Sequence, residues 1–275
     1  MTATAAYQPA VALEFFKAGG KVENIAEGAT IFRENKRSRR ILLERDKMYL
    51  LLKGEVRLLT GERKIGTVRV GQIFGEMAAI GHTPRSATAV AKTACRVIAL
   101  DDRQFKKALR KKPGFALMLM SMMVARLRAT LTHLRANNAL SNEAVIEESA
   151  VFNRKLLGDM VRGLADDPPV SFMRNQVILK EGQVGKRMYA VLEGRIAVNI
   201  GGSVVVRIGP GGVLGELALI DQQTRVATAV AEDIATLQPI SREAFIELVK
   251  LDPDLGVALL TALAERLRYL TGLLK

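Results

Sequence analysis

The sequence contains few of the residues that most catalytic, metal-binding or disulfide chemistry requires. Its 275 residues include one cysteine, two histidines and no tryptophan. Cys95 has no partner for an internal disulfide, and two histidines without clustered cysteines predict no metal site. No nucleophile, base and orienting group can be assembled from the motifs described below, so the sequence predicts a protein that is not an enzyme.

Long apolar runs and a signal for export are also lacking. The longest apolar run, Gly114 to Ala125, is shorter than the roughly 20 residues that span a bilayer. The first residues carry neither the basic segment nor the apolar stretch of a secretory signal peptide. We therefore expect a cytoplasmic protein with no transmembrane segment.

Acidic residues are scarce relative to basic ones, and the net charge is +13. Two basic blocks are dense: Lys36 to Arg40, and a series between Arg103 and Lys112. This charge predicts an acidic partner, which is an effector protein, a nucleic acid or an anionic membrane surface; the alternative is that both blocks are solvated faces. Nucleic-acid binding, if any, is expected to be independent of sequence, because no DNA-reading motif accompanies the charge.

The sequence does contain one stretch that is present twice. Residues 74–91, here called the first cassette, read FGEMAAIGHTPRSATAVA, and residues 214–231, the second cassette, read LGELALIDQQTRVATAVA. Equivalent residues from Tyr49 and Tyr189 onward are 140 apart. Upstream the offset is 147, so the first copy carries 7 extra residues within the basic segment 36–47, whose role stays open. A repeat of this length predicts two domains of one origin.

Each cassette has the residues needed to hold an anion beside a hydroxyl group. An apolar strand, a glycine turn and a short stripe of small residues predict a helix of one or two turns, whose free N–H groups suit a phosphate. Arg85 and Arg225, nine residues after the glutamates, offer a planar fork to the same phosphate. A carboxylate only accepts hydrogen bonds, so Glu76 and Glu216 are predicted to hold a hydroxyl such as a ribose 2′-OH. A ligand with both groups side by side is a cyclic nucleotide.

The two cassettes resemble the phosphate-binding segment of cyclic-nucleotide-binding domains, as found in the catabolite activator protein and the regulatory subunits of cAMP-dependent protein kinase. The shared pattern is Gly-Glu-aliphatic-Ala followed by Arg-x-Ala-Thr. The resemblance implies that Glu76 and Glu216 hold the ribose 2′-OH. It implies that Arg85 and Arg225 hold the cyclic phosphate. Backbone amides would complete each cradle, at Gly75, Met77, Ala78 and Ala87 in the first copy and at Gly215, Leu217, Ala218 and Ala227 in the second. The implied fold is α+β, with two antiparallel, jelly-roll-like β-rolls, each flanked by N- and C-terminal helices.

Residues beside the arginines and on the last helices bear on which nucleotide binds. Family members that prefer cGMP often place Thr or Ser directly after the arginine, so Val226 favours cAMP at the second site, whereas Ser86 leaves cGMP open at the first. By the same resemblance, Thr130 matches a helix threonine that contacts adenine. In the second copy a leucine takes that position, and the residues on either side, Tyr269 and Thr271, are the candidate base contacts.

The remaining sequence predicts how the chain is divided. Strand-like runs with glycine turns alternate with helical segments, giving a first domain at 11–136, a linker at 137–150 and a second domain at 151–275. Heptad seams after Pro113 and Pro253 predict two long helices that pack together within one chain as a pseudo-twofold pair. The alternative is that each seam packs on its own β-roll or on a second chain. Cysteines placed at Leu127 and Leu267 would cross-link within one chain under the first arrangement.

Three functions fit these observations. The first is a non-enzymatic cyclic-nucleotide sensor, with cAMP as the preferred ligand, whose two sites regulate a partner protein in signalling. The second is a scaffold with degenerate pockets and a basic surface that binds the partner. The third is a transcription regulator of the catabolite activator type that lacks its helix-turn-helix. The resemblance to that activator also predicts a bacterial chain.

Overall fold

The structure is a computed structural model that describes residues 7–35, 46–81, 83–137 and 145–273. The basic block at 36–40 and residues 138–144 of the predicted linker lie outside the described residues. The described elements of the first half are α1 (Pro9–Lys17), β1 (Lys21–Ile25), β2 (Thr30–Phe32), β3 (Lys47–Lys53), β4 (Val56–Thr60), β5 (Arg63–Val68), β6 (Ile73–Phe74), α2 (Glu76–Gly81), β7 (Thr88–Ala91), β8 (Cys95–Asp101), α3 (Asp102–Lys111) and α4 (Gly114–Ala136).

The second half repeats this order after one additional strand. Its described elements are β9 (Ile146–Glu148), α5 (Arg154–Gly163), β10 (Val170–Phe172), β11 (Val177–Leu179), β12 (Arg187–Glu193), β13 (Ile196–Ile200), β14 (Ser203–Ile208), β15 (Val213–Leu214), α6 (Glu216–Asp221), β16 (Thr228–Ala231), β17 (Ala235–Ser241), α7 (Arg242–Leu251) and α8 (Pro253–Gly272).

Each half folds its strands into two sheets around one apolar core. The strand orders are β1-β8-β3-β6 and β2-β7-β4-β5 in the first half, and β10-β17-β12-β15 and β11-β16-β13-β14-β9 in the second. Side chains of both sheets meet in the core, as where Leu51 and Val97 join Val56 and Ala89. Burial of these apolar faces is what stabilises a rolled pair of sheets. The predicted α+β fold, two antiparallel β-rolls with flanking helices, is confirmed.

The boundaries of α3 and α4 follow signals in the sequence. The Asp101 carboxylate accepts a hydrogen bond from the backbone N–H of Gln104 at 2.8 Å, and the Gln104 side chain accepts one from the backbone N–H of Asp101 at 2.9 Å. This reciprocal capping satisfies two N–H groups at the start of α3. Pro113 then separates α3 from α4, because proline cannot donate the hydrogen bond that would continue a helix.

Part of the predicted linker is a strand. Strand β9 pairs with β14 in parallel, with Ile146 beside Val206 and Glu148 beside Ile208. The sequence at β9, Ile-Glu-Glu, has one apolar residue and no alternating pattern, so nothing local predicted it. The strand forms because β14 has a free edge to which its backbone can bind.

The described chain forms two compact units, and both long helices are divided between them. The first unit contains Tyr7–Leu119 together with Leu260–Arg268 of α8. The second unit contains Met120–Leu259 and the end of α8 from Tyr269. The first cassette therefore shares a unit with the middle of α8, and the second cassette shares a unit with most of α4. The boundaries at 136 and 150 remain predictions, and this division differs from them at the two helices.

Helix α4 is the one described helix that is long and apolar enough, by length and composition alone, to cross a membrane. Half of its most apolar 18-residue window is buried inside the protein, and core helices of soluble proteins pass the same test. Its first turn packs in the first unit, where the Phe115 ring stacks on Phe15 at 3.6 Å between centroids. The expected absence of a transmembrane segment stays a prediction.

Candidate functional site

The glycine before each glutamate is required by backbone shape and by lack of room. Gly75 and Gly215 have φ angles of +74° and +82°, in the left-handed region that side chains rarely adopt. A Cβ on Gly75 would lie 2.9 Å from Nη1 of Arg85, and one on Gly215 would lie 2.5 Å from Nη1 of Arg225. Glycine at this position therefore lets the guanidinium group lie against the backbone at the start of α2 or α6.

The two arginines are held by equivalent pairs of backbone carbonyls. Nη1 of Arg85 donates to the carbonyl of the cassette glycine at 2.8 Å, and its Nη2 donates to the carbonyl of Lys47 at 2.9 Å. Nη1 of Arg225 donates to the carbonyl of its own cassette glycine at 2.5 Å, and its Nη2 donates to the carbonyl of Arg187. Lys47 and Arg187 begin β3 and β12. The strand start and the glycine turn thus fix the direction of each guanidinium fork.

The glutamates lie close to these arginines in nearly closed surroundings. Glu76 and Glu216 are the first residues of α2 and α6 and are 4% and 2% exposed, while Arg85 and Arg225 are 5% and 8% exposed. Burial lowers the pKa of both guanidinium groups; nearby acids oppose this, chiefly Asp46 and also Glu76 at Arg85, and Glu216 at Arg225. Arginine keeps its charge inside proteins. Each site therefore pairs a fixed cation for an anion with a carboxylate that accepts a hydroxyl.

A threonine after each arginine ties the cassette to the strand before it. Oγ1 of Thr88 accepts a hydrogen bond from the backbone N–H of Glu34 at 3.0 Å, and Oγ1 of Thr228 accepts one from the backbone N–H of Glu181 at 3.1 Å. Glu34 and Glu181 are 147 apart. The upstream offset read from the sequence is thus seen again in equivalent hydrogen bonds.

The other predicted cassette residues gather around the same turn. Those that are buried or half-buried are Met77, Ala78 and Ala87 in the first copy and Leu217, Ala218, Val226 and Ala227 in the second. Ser86 is exposed. The residues that follow the two arginines therefore differ in exposure, with Val226 half-buried and Ser86 exposed.

The three predicted base contacts have a different placement from the cassette residues. Thr130 lies on α4, in the compact unit that holds the second cassette, although the sequence comparison matched it to the first copy. Tyr269 and Thr271 lie at the end of α8 and belong to that same unit. All three side chains are half-buried. The unit that holds the first cassette contains Leu260–Arg268 of α8 and the start of α4 up to Leu119, and none of these three residues.

Two arginines of α4 that the sequence did not single out bind the second cassette. Arg128 forms an ion pair with Asp221 through Nε and a second bond from Nη2 to Oδ1 at 2.9 Å, and Nη2 also donates to the Thr224 carbonyl at 2.9 Å. Arg135 donates from Nη2 to Glu181 and to the Val226 carbonyl, both at 2.6 Å. Their spacing of seven residues, which puts both on one helix face, is the only sequence signal they carry.

The first cassette has a weaker contact with its helix segment. Oγ1 of Thr261 on α8 donates to the Ile80 carbonyl at 3.3 Å. Gly81 is the residue equivalent to Asp221. A Cβ added to it would lie 3.4 Å from the Cβ of Ala264 on α8. A glycine has no carboxylate, so this end of α2 cannot form the ion pair seen at the end of α6.

Comparison with known proteins identifies the family. The family described as "Cyclic nucleotide-binding domain" matches residues 22–112 and 169–252, together more than half of the chain. A cAMP-dependent protein kinase regulatory subunit of Eremothecium gossypii is 26% identical over 207 residues, which are 75% of this chain and 40% of that protein. A cGMP-dependent protein kinase of Toxoplasma gondii is 26% identical over 239 residues, 85% of this chain and 20% of that protein.

Among solved structures, the regulatory domain of Toxoplasma gondii PKA crystallised with cAMP is 22% identical, with a TM-score of 0.31, and the match covers 84% of this chain and 81% of that one. The chain spans about two fifths and one fifth of the two sequence relatives.

The predicted bacterial origin is corrected by these relatives. The two sequence relatives named above come from a yeast and a protozoan parasite. The inference had rested on the resemblance to the catabolite activator, which does not fix the organism. With both of its repeated halves matched, the chain belongs to the cyclic nucleotide-binding domain family.

Proposed function

We propose that this protein is a non-enzymatic sensor with two cyclic-nucleotide sites, one at each cassette, that regulates a partner protein. The observation that carries the proposal is the arrangement found twice: a buried arginine, fixed by the cassette glycine carbonyl and a strand carbonyl, beside a buried glutamate. The arginine supplies a positive fork for the cyclic phosphate, and the glutamate supplies an acceptor for the ribose 2′-OH. The relatives named for cAMP and cGMP dependence support this ligand class.

The proposed ligand of the second site is cAMP. Val226 follows Arg225 there, and its side chain cannot donate a hydrogen bond. This side chain therefore offers no hydrogen bond to the additional polar groups of guanine. Ser86 follows Arg85 in the first site and carries a hydroxyl, which keeps cGMP as a candidate ligand there. The name of the fungal relative, a cAMP-dependent kinase regulatory subunit, favours cAMP at both.

The experiment is titration calorimetry of the purified chain with cAMP and with cGMP, together with thermal melting. At a ligand concentration of 100 times the dissociation constant, each occupied site should stabilise its domain by about 2.7 kcal/mol. Two sites for cAMP, with a raised melting temperature, are expected. Flat calorimetry and an unchanged melting temperature at millimolar nucleotide would instead favour a scaffold with degenerate pockets.

The partner is proposed to be an acidic protein that meets the chain in the cytoplasm at the exposed face of α3. The exposed side chains of α3 are all basic: Arg103, Lys106, Lys107, Arg110 and Lys111. The equivalent positions of α7 are Glu243, Ile246, Glu247, Lys250 and Leu251. The basic face is thus a property of one copy and not of the fold.

A membrane fits α3 less well than an acidic protein does. Its apolar residues, Phe105, Ala108 and Leu109, are at most 2% exposed, so the helix has no free apolar face to insert into a bilayer. Replacing Lys106 and Lys107 by glutamate should abolish binding to an acidic polypeptide such as polyglutamate, and Lys250→Glu on the exposed face of α7 should not. Tight, salt-resistant binding to one DNA duplex in gel-shift competition would contradict this and favour a transcription regulator.

A further inference from the structure

Helix α4 holds the backbone on both sides of Arg225. The Thr224 carbonyl precedes this arginine and accepts a hydrogen bond from Arg128 at 2.9 Å; the Val226 carbonyl follows it and accepts one from Arg135 at 2.6 Å. The two donors are seven residues apart, so they lie on one face of the helix, two turns from each other. The short segment that carries the phosphate fork is therefore fixed at both ends by a single helix.

Each donor is in turn fixed by a carboxylate of the second unit. Arg128 pairs with Asp221, the last residue of α6, whose side chain is 8% exposed. Asp221 Oδ1 also accepts the backbone N–H of Gln223 at 3.1 Å, which closes the turn between α6 and the arginine. Arg135 pairs with Glu181 at 2.6 Å, and Glu181 is the residue whose N–H is bound by Thr228. These are charge-assisted bonds, which are shorter and stronger than neutral ones.

Three buried leucines of α4, one just before Arg128 and two between Arg128 and Arg135, explain why the helix is a firm support. Leu127, Leu131 and Leu134 are 1%, 6% and 0% exposed, so this part of α4 is packed by its leucine seam. Packing of this kind prevents the helix from shifting without loss of buried apolar area. A displacement of this part of α4 should therefore also displace the backbone at Thr224 and Val226, to which its arginines are hydrogen-bonded.

We infer that Arg128 and Arg135 are positioning residues of the second site, which set its affinity for a cyclic nucleotide by fixing the backbone around Arg225. The inference rests on the proposed function, because it concerns the ligand of that site. It applies to the second site alone. At the first site Gly81 stands where Asp221 would be needed, and Arg268, the residue equivalent to Arg128, is exposed.

The test compares Arg128→Met with the matched control Arg268→Met by calorimetry with cAMP, each in an Arg85→Ala background so that the second site is measured alone. Arg128→Met should weaken this site on the order of tenfold, within the range of coupling between linked groups. Arg128→Lys should recover part of the loss, because lysine keeps the charge but not the two-pronged geometry. Arg268→Met should have no effect. Arg135→Met, at a more exposed residue, serves where Arg128→Met does not fold.

Hydrogen exchange of the ligand-free protein gives a readout that does not depend on the proposed function. In Arg128→Met the amides of segment 224–228 should exchange faster, while those of segment 84–88 stay unchanged. Wild-type affinity and unchanged exchange in both Arg128→Met and Arg135→Met would overturn the inference. If the wild-type second site binds no cyclic nucleotide, the proposed function fails there; faster exchange in Arg128→Met would then still support the positioning contact, and unchanged exchange would overturn it.

Discussion

The two sites of this chain have the same backbone frame and different charged neighbours. In both, the arginine fork is held by the cassette glycine carbonyl and by the first carbonyl of a central strand. Around that frame, Asp46 of the first copy is replaced by Lys186, and Gly81 is replaced by Asp221. The comparison teaches that the backbone contacts, which need only glycine and strand register, are the same in both copies, while charged side chains around them differ.

The two arginines have different acidic neighbours, with Asp46 and Glu76 beside Arg85 and Glu216 beside Arg225. Oδ1 of Asp46 lies 3.3 Å from Nη2 of Arg85, and the two side chains are 15% and 6% exposed. This carboxylate competes with any phosphate for the fork, and the Arg85 guanidinium also lies 4.3 Å from the centre of the Phe32 ring. At the second site the equivalent residue is Lys186, so this position supplies no carboxylate to compete for the fork of Arg225. The second site is therefore expected to bind cyclic phosphate more tightly.

The largest effect is expected from removing one fork at a time. Arg85→Ala should abolish binding at the first site and Arg225→Ala at the second, each at a cost on the order of 1.5–3 kcal/mol for every charged hydrogen bond lost. Calorimetry with cAMP should then show one surviving site in each variant. Lysine at either position is the control, because it keeps the charge and loses the fork. Wild-type affinity at both sites in either alanine variant would show that the clamp is assigned wrongly.

Much of the frame could be predicted because the signals it depends on are local or repeated. The Gly-Glu step, the arginine nine residues on and the reciprocal cap at Asp101 are all visible within a dozen residues. The constant offset of 140 residues supported the interpretation of the cassettes, since a pattern that occurs twice is rarely accidental. The structure repeats that offset in its hydrogen bonds, as at Lys47 and Arg187.

What could not be predicted depends on distant partners. Strand β9 forms because its backbone can pair with the edge of β14. The sequence of β9 itself is too polar to indicate a strand. Arg128 meets Asp221 across 93 residues, and an arginine on a helix face gives no sign of its partner. The division of α4 and α8 between the compact units could not be predicted either. A leucine seam predicts that a helix packs, but it does not identify the surface against which the helix packs.

A second test uses a close contact at the second site. A Cβ on Gly185 would lie 2.5 Å from Cζ of Arg225 and 2.8 Å from the Cβ of Ala218. Gly185→Ala should therefore displace the fork and destabilise the second unit by about 1–3 kcal/mol, as overpacking does, with weaker nucleotide binding there. Gly158→Ala is the matched control in helix α5, where an added Cβ meets no atom closer than 3.6 Å, and it should stabilise by about 0.5–1 kcal/mol. Denaturant unfolding measures both, and equal effects would contradict the close contact.

The smallest effect is expected from Asp46→Asn, and it tests the comparison most directly. Asparagine keeps the shape and an acceptor oxygen but removes the charge that competes with phosphate at Arg85. Ion pairs that water reaches contribute about 0.2–1 kcal/mol, so affinity for cAMP at the first site should rise by up to roughly fivefold, and the gain should shrink at high salt. Lys186→Met should lower affinity at the second site by a similar factor, bringing the two sites closer together. Calorimetry at two salt concentrations, with Arg225→Ala or Arg85→Ala isolating each site, gives both values. A lower affinity in Asp46→Asn would mean that Asp46 holds the fork in place for the ligand and does not compete with it. Asp46 would then strengthen nucleotide binding at the first site and not weaken it.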